Sequence, residues 1–291
     1  MSSLGMITGN TRILGVMGYP VAHSFSPVMY NAAFAHSGLD WVYLAFSVPP
    51  GNLPEALAGL RALGMTGANL TIPHKEAALK HLDYLTPEAD LIGAVNVLRI
   101  ENDLLIGHNT DGTGFLQSLS REANFIPQQK KVLILGAGGA ARAVALTLAR
   151  RGALEIVIAN RTQQRGVELA LEVQKKTGVK AEGISLEPEA LAAAVQTADL
   201  VVQASSVGMY PQSEAPDWFK PEWLSPSTLV CDLIYRPRPT RFLQLADQRG
   251  CLTLDGLGML LYQGVQSFTW WTGLTAPVEI MRQALERWVP D

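Results

Sequence analysis

Lys75 and Asp111 are the side chains in this sequence best suited to hand a proton back and forth. Lys75 closes the segment Asn69-Leu70-Thr71-Ile72-Pro73-His74-Lys75. That segment ends a strand expected over 68–72, and ligand sites in α/β sheets gather where strands end. The alternative for Lys75 is a solvated residue opening a helix over 76–82. A cation in a first helical turn is disfavoured by the helix dipole, so that alternative leaves its presence unexplained. His74 reads as a loop histidine. Asp111 belongs to Asn109-Thr110-Asp111-Gly112, where a helix begins near Thr110. One cap accounts for one of these polar residues and not for all three. A third polar stretch, His23-Ser24-Phe25-Ser26-Pro27, offers two hydroxyls ahead of a helix that Pro27 is placed to open. Ser26 is either the N-cap of that helix or, with Ser24, a donor to a small polar ligand.

A different chemistry is written in Lys131-Val-Leu-Ile-Leu-Gly136-Ala137-Gly138-Gly139-Ala140-Ala141-Arg142. The apolar run suits a strand buried on both faces. Gly136, Gly138 and Ala141 then fit the dinucleotide fingerprint: a tight turn, a close approach to a pyrophosphate, and close packing of helix on strand. The helix expected over 140–151 aims its N-terminus at the phosphates. The next strand, 155–159, runs into Asn160-Arg161-Thr162-Gln163-Gln164-Arg165. NAD-binding folds place an acidic residue about 20 positions past the glycines, to accept from the ribose 2′-hydroxyl. Asn160 stands there instead, with Arg161 and Arg165 beside it. Arginines pair with a 2′-phosphate that a carboxylate would repel. At about 1.5–3 kcal/mol per hydrogen bond to a charged group, two of them favour NADP by about a hundredfold or more. The bland alternative makes both arginines solvated residues at a helix start.

The elements that must position these groups alternate between strand and helix. Strands are expected over 12–17, 42–48, 68–72 and 93–100, the last carrying Asn96, followed by a hairpin-like segment. Beyond the fingerprint come strands over 200–204 and 229–233, with helices near 187–195 and 239–248, an alternation that implies a parallel sheet. The stretch 205–225 reads as a long surface loop. Helices over 257–271 and 276–288 close the chain. Positions 256–278 carry no charge, but Gln263, Gln266, Ser267, Thr269 and Pro277 interrupt the run, so a buried helix and its loop are expected rather than a membrane span.

With 291 residues, two domains are expected. A net charge of −3 gives no reason to expect nucleic acid or an anionic membrane as partner. The two cysteines form no C-x-x-C, which suits a reducing compartment, and no basic stretch followed by an apolar one marks a signal peptide. A cytoplasmic protein that binds small molecules, as monomer or homodimer and without a metal, is the expectation.

Taken in order, the motifs resemble the shikimate/quinate dehydrogenase family over nearly the whole chain. They are Gly18-x-Pro20-x-x-His23-Ser24-x-Ser26-Pro27, Asn69-x-Thr71-x-Pro73-x-Lys75, Gly93-Ala94-x-Asn96, Asn109-Thr110-Asp111-Gly112, the fingerprint, Asn160-Arg161-Thr162, Val207-Gly208-Met209, Gln263-Gly264 and Trp271-Thr272-Gly273. The resemblance implies reversible reduction of 3-dehydroshikimate to shikimate with NADPH, in aromatic amino acid biosynthesis on the chorismate pathway. It implies an α/β fold of two domains with a cleft between them. An N-terminal substrate domain would comprise 1–109 plus the returning C-terminal helices, 257–291. A Rossmann-like, parallel-sheet NADP domain would span 110–256. Ser24 and Ser26 would hold the substrate carboxylate, with Tyr235 near that end. Asn69, Thr71, Asn96, Asp111 and Gln263 would bind ring hydroxyls, and Lys75 with Asp111 would be the catalytic pair. Gly136, Ala137, Gly138, Gly139, Ala140, Asn160, Arg161, Thr162, Arg165, Gly256 and Met259 would bind the cofactor. The chain departs from the family at Gln203-Ala204-Ser205, where Asn-Ala-Thr is common, at Val97, where Thr is common, and at Tyr30, which stands in place of a frequent His. The rival readings are an NAD-using quinate/shikimate dehydrogenase and a metabolite sensor without catalysis.

Overall fold

The structure, a computed structural model, describes residues 7–211 and 213–288. Positions 1–6 and 289–291 of the expected substrate domain, and position 212 of the expected loop, lie outside the described residues. The chain divides into two compact units: one runs up to Gly114 and resumes over Leu260–Trp288, the other is Phe115–Met259. Both divisions fall within helices, a few residues past the junctions at 109/110 and 256/257 that the sequence suggests.

The first unit opens with β1 (Arg12–Gly18), α1 (Ser26–His36), β2 (Trp41–Ser47), α2 (Leu53–Ala62), β3 (Gly67–Leu70) and α3 (His74–Ala77). It continues with β4 (Tyr84–Leu85), α4 (Pro87–Ile92), β5 (Val97–Glu101), β6 (Leu104–His108) and the start of α5 (Asp111–Glu122). Its six-stranded sheet has the order β2-β1-β3-β5-β6-β4 and is mixed. β1 runs parallel to β2 and β3, while β5 runs antiparallel to β3 and β6. Gly18 explains how two site loops meet at one end of this sheet. A Cβ there would collide with Thr71 Cγ2, so only glycine lets the chain after β1 run beside the chain after β3. Tyr19 N–H donates to Ile72 O at 2.9 Å and joins them.

Two local expectations need correction. The helix expected over 76–82 is the single turn α3 followed by a 3-10 turn over Ala78–His81. The strand expected over 93–100 begins only at Val97, because α4 precedes it. Thr86 caps α4 by accepting from Ala89 N–H at 3.3 Å, and Gly93 ends it in the left-handed region at φ +67°. Asn96 therefore sits in the connection just before β5, where its side chain is not committed to a sheet face.

The second unit contains β7 (Lys131–Leu135), α6 (Gly139–Arg150), β8 (Glu155–Ala159), α7 (Gln163–Thr177), β9 (Lys180–Ile184) and α8 (Pro188–Thr197). It ends with β10 (Leu200–Gln203), β11 (Leu229–Asp232), α9 (Arg241–Asp247) and β12 (Leu252–Leu254). The order β12-β11-β10-β7-β8-β9, parallel at every pairing, is a Rossmann-like sheet. The segment 205–225 is not purely a surface loop. Phe219 and Leu224 are buried in this unit's core, with Trp218 and Trp223 packed against them.

Two further helices follow, α10 (Gly256–Thr272) and α11 (Val278–Trp288). In the first unit α11 packs on α1, and Trp271 of α10 donates from Nε1 to Leu98 O at 2.8 Å. Among the described residues no helix is long and apolar enough to cross a membrane.

Candidate active site

In the first unit, the residues that follow β3, precede β5 and open α5 converge on one buried polar network. Lys75 Nζ donates to Asp111 Oδ2 at 2.5 Å, with 16% of the lysine side chain and 5% of the aspartate side chain exposed. Asp111 Oδ1 accepts from Asn96 Nδ2 at 2.8 Å. The same amide reaches Thr110 Oγ1 at 3.0 Å and Gln263 Oε1 at 3.3 Å. Asn96 Oδ1 accepts from Thr110 N–H at 2.8 Å, so this one side chain ties the start of α5 to the chain ahead of β5 and to α10. Gln263 comes so near α5 that a Cβ on Gly114 would lie 2.5 Å from its backbone N, which is why glycine stands there.

Asn109 and Thr110 explain the polar crowd at the helix start. Asn109 Oδ1 accepts from Asp111 N–H at 3.0 Å, and its Nδ2 donates to Ala94 O at 2.8 Å. Thr110 Oγ1 pairs with Ser267 Oγ at 3.2 Å. Asn109 therefore shapes the turn, and the Asp111 carboxylate is left for Lys75 and Asn96. Asn69, at the end of β3, accepts the Tyr43 phenol at 2.6 Å and donates to Asn96 O at 2.9 Å. His74 is buried, its Nε2 2.7 Å from Val48 O, so it anchors the loop and does not face the network.

Ser24 and Ser26 lie at the entrance to α1. No side chain caps this helix, so Ser26 is not its N-cap. Ser24 Oγ accepts from Ser26 N–H at 3.3 Å, and Ser26 neighbours the Tyr43 phenol. Thr71 is tied through its backbone: its N–H donates to Met17 O at 3.0 Å, and its carbonyl accepts from His74 N–H at 2.9 Å. Sequence reasoning passed over Tyr43 and Ser267. Ser267 was findable, since it lies one helical turn from Gln263 on α10. Tyr43 was not, because only the fold brings β2 beside β3's neighbours.

The second unit carries the other set. Gly136 adopts φ +123° between β7 and α6, and a Cβ there would press on Ala204 and Ser205 at 3.1 Å. A Cβ on Gly138 would meet nothing within 4 Å, leaving open space before the N-terminus of α6. The first amides of α6 have no partners within the helix, and they face that space as anion donors. Past β8, Asn160 Nδ2 donates to Thr162 O at 2.9 Å, Arg165 Nη2 donates to Ala137 O at 3.3 Å, and Arg161 is exposed. The Arg165 guanidinium thus reaches the glycine turn, Arg161 is exposed four positions earlier in the sequence, and no carboxylate stands at position 160. These residues fit an NADP.

Gln203 accounts for the departure from Asn at its position. It is fully buried; Oε1 accepts from Ser205 N–H at 3.0 Å and Nε2 donates to Val207 O at 3.2 Å, bracing the loop that abuts Gly136. Asp232 does the same for the loop carrying Tyr235, accepting from Ile234 N–H at 3.0 Å and Thr240 Oγ1–H at 2.8 Å. Burial pushes the Asp232 carboxyl up to about 7, against those two hydrogen bonds, and pushes the Tyr235 phenol up to about 12. Gly256 is dictated by a close approach, since a Cβ would collide with Leu233 O, and Met259 is buried. Lys75, Asp111, Asn69, Asn96 and Gln263 thus form one linked group within the first unit. Tyr235, Gly256 and Met259 belong to the second.

Comparison with known proteins matches residues 16–98 to the shikimate dehydrogenase substrate binding domain, 120–211 to shikimate / quinate 5-dehydrogenase, and 256–286 to the shikimate 5'-dehydrogenase C-terminal domain. The chain is 48% identical over 285 residues to the shikimate dehydrogenase (NADP(+)) of Methanopyrus kandleri, covering 98% of each chain. A crystal structure of a shikimate dehydrogenase in complex with NADP+ superposes with a TM-score of 0.91 at 41% identity, covering 98% of each chain. The Thermus thermophilus enzyme in complex with NADP(H) and shikimate gives a TM-score of 0.83 at 40% identity, over 95% of this chain and 99% of that one.

Proposed function

This chain belongs to the shikimate dehydrogenase family, and from that premise we propose how its residues share the work of an NADP-dependent oxidoreductase interconverting 3-dehydroshikimate and shikimate. The observation that carries the assignment is the Lys75–Asp111 pair, buried and held at 2.5 Å. Binding alone does not require such a pair, whereas reduction of a ketone needs a proton delivered to the oxygen as the carbon is reduced.

NADP, when bound, supplies the hydride chemistry. Gly136 and Gly138 with the N-terminus of α6 would hold its pyrophosphate, and Asn160, Arg161, Thr162 and Arg165 would hold its 2′-phosphate. Ser24 and Ser26 would take the substrate carboxylate, and Tyr235 would bind the substrate as well. Asn69, Thr71, Asn96 and Gln263 would take the ring hydroxyls. Lys75 Nζ gives its proton to the carbonyl oxygen on reduction and recovers it on oxidation. Asp111 keeps Nζ aimed, and Asn96 keeps Asp111 from turning. Positioning of this kind is a large part of what a protein contributes to such a reaction. We place the enzyme in the cytoplasm, supported by its two free cysteines, Cys231 and Cys251, and by its metabolic role. It would act as a monomer or a homodimer.

The test is nicotinamide absorbance with shikimate or quinate, each with NADP+ or NAD+. Fast reduction confined to shikimate with NADP+ is the expected result. Equal rates with quinate and NAD+ would move the chain to a broader activity. No reduction in any of the four, from folded protein that still binds NADPH, would overturn the catalytic reading.

A further inference from the structure

Tyr30 carries a buried hydroxyl with no hydrogen-bond partner, in a place where a partner matters. It lies on α1 one turn beyond Ser26, so both side chains share the inward face of that helix. Its ring is fixed on three sides. It stacks on Tyr43 with centroids 4.5 Å apart, meets Trp271 edge-on at 5.3 Å, and lies beside Phe34 at 6.2 Å. The walls are themselves held. Asn31 binds the Tyr43 backbone through both amide atoms, at 2.9 and 2.8 Å, and Trp271 is bound to Leu98 O. The ring is therefore clamped in place, and the direction of its oxygen is set by the fold.

That oxygen lies within reach of Ser267 and Asn69 but makes a hydrogen bond of good geometry to neither, and the Asp111 charge lies near it. Each already has partners. Asn69 Oδ1 takes the Tyr43 phenol, Ser267 Oγ donates to Gln263 O at 2.9 Å, and the two Asp111 oxygens take Asn96 and Lys75. Burial holds the Tyr30 phenol well above the ordinary range, so it stays a proton donor. Phenylalanine would fill the same stack without a buried orphan donor, an arrangement that favours the folded state. The oxygen is thus unfavourable to the ligand-free protein, and such features persist at functional sites.

We propose that Tyr30 is a positioning residue of the substrate site: its phenol donates to the Asn69–Ser267–Asp111 floor once the substrate's ring hydroxyls draw those side chains, and so fixes them in the binding arrangement. This rests on the reading of the first unit's network as the shikimate site.

Tyr30→Phe removes one atom and is the test, with melting temperature, steady-state kinetics and direct shikimate binding measured on the full chain. The ligand-free variant should melt at the wild-type temperature or above. Its shikimate KM and Kd should rise about tenfold, with the NADP+ KM unchanged and shikimate stabilising it less against heat. Wild-type shikimate constants in the variant would overturn the inference alone. So would a lower melting temperature with shikimate and NADP+ affinities falling together, which would assign the residue to structure only. Wild-type protein inert toward shikimate would overturn the reading of the site, and this inference with it.

Discussion

Asp111 faces Lys75 with one carboxylate oxygen and Asn96 with the other, at 2.5 and 2.8 Å. With a different partner on each oxygen, the carboxylate has one orientation, and Nζ is held by it. Asp111→Asn preserves the shape and removes the charge that aims the lysine. Turnover of shikimate should fall by about 10²–10⁴-fold, the range for a positioned proton-transfer group, because Lys75 then lacks the charge that aims it. The shikimate KM should rise far less, because Asn69, Gln263 and the two serines are untouched. Steady-state kinetics over a range of pH will show both.

The two fingerprint glycines should fail in different ways. Gly138→Ala puts a methyl group into open space, so the melting temperature should stay at the wild-type value while NADPH binding is lost. Gly136→Ala forces a side chain onto φ +123° and against Ala204 at 3.1 Å, so it should destabilise the fold, by about 1–3 kcal/mol for the backbone strain. Thermal melts beside fluorescence titration with NADPH separate the two effects.

Arg161 and Arg165 flank the place where an NAD-specific fold carries an acid. Replacing Arg161 with Ala should raise the NADP+ KM about tenfold or more, and replacing both about a hundredfold, with the NAD+ KM unchanged in each. Parallel kinetics with the two cofactors will show whether the discrimination lies there.

His108 gives the first unit a sensitivity to acid. It is packed on Trp270, bonded to Thr86 at 2.8 Å, and pushed down to about 4 by burial and then by Arg99. Between the ordinary histidine value of 6.5 and 4, the unfolded chain holds the extra proton and the folded chain does not. Its contribution is therefore present above 6.5 and lost as the pH falls toward 4. Urea midpoints from about pH 8 to about 4.5 should decline less steeply in His108→Gln than in the wild-type chain.

The cofactor half was readable because its signals are local. The strand, glycine turn and helix from Lys131 to Arg150 are contiguous, and Asn160 follows at a fixed interval. What was missed there are the sheet edges: β9 alternates Lys180 and Glu182 with small residues, and β12 is three residues long. Neither carries a distinctive apolar run. In the first unit the polar residues were recognisable by type, but their arrangement was not. Gly93 ending α4 moves Asn96 out of a strand, and no pattern within 93–100 announces it. Tyr30, Tyr43 and Ser267 come from three distant segments, and only packing brings them beneath Asn69.

Turnover of shikimate with NADP+ by Lys75→Ala decides whether Lys75 carries the proton, read beside the variant's affinity for shikimate. A collapse of kcat by about 10²–10⁴-fold, with shikimate still bound and the melting temperature kept, is the result this mechanism requires. A folded Lys75→Ala enzyme turning over near the wild-type rate would contradict it, and the proton would have to come from another group.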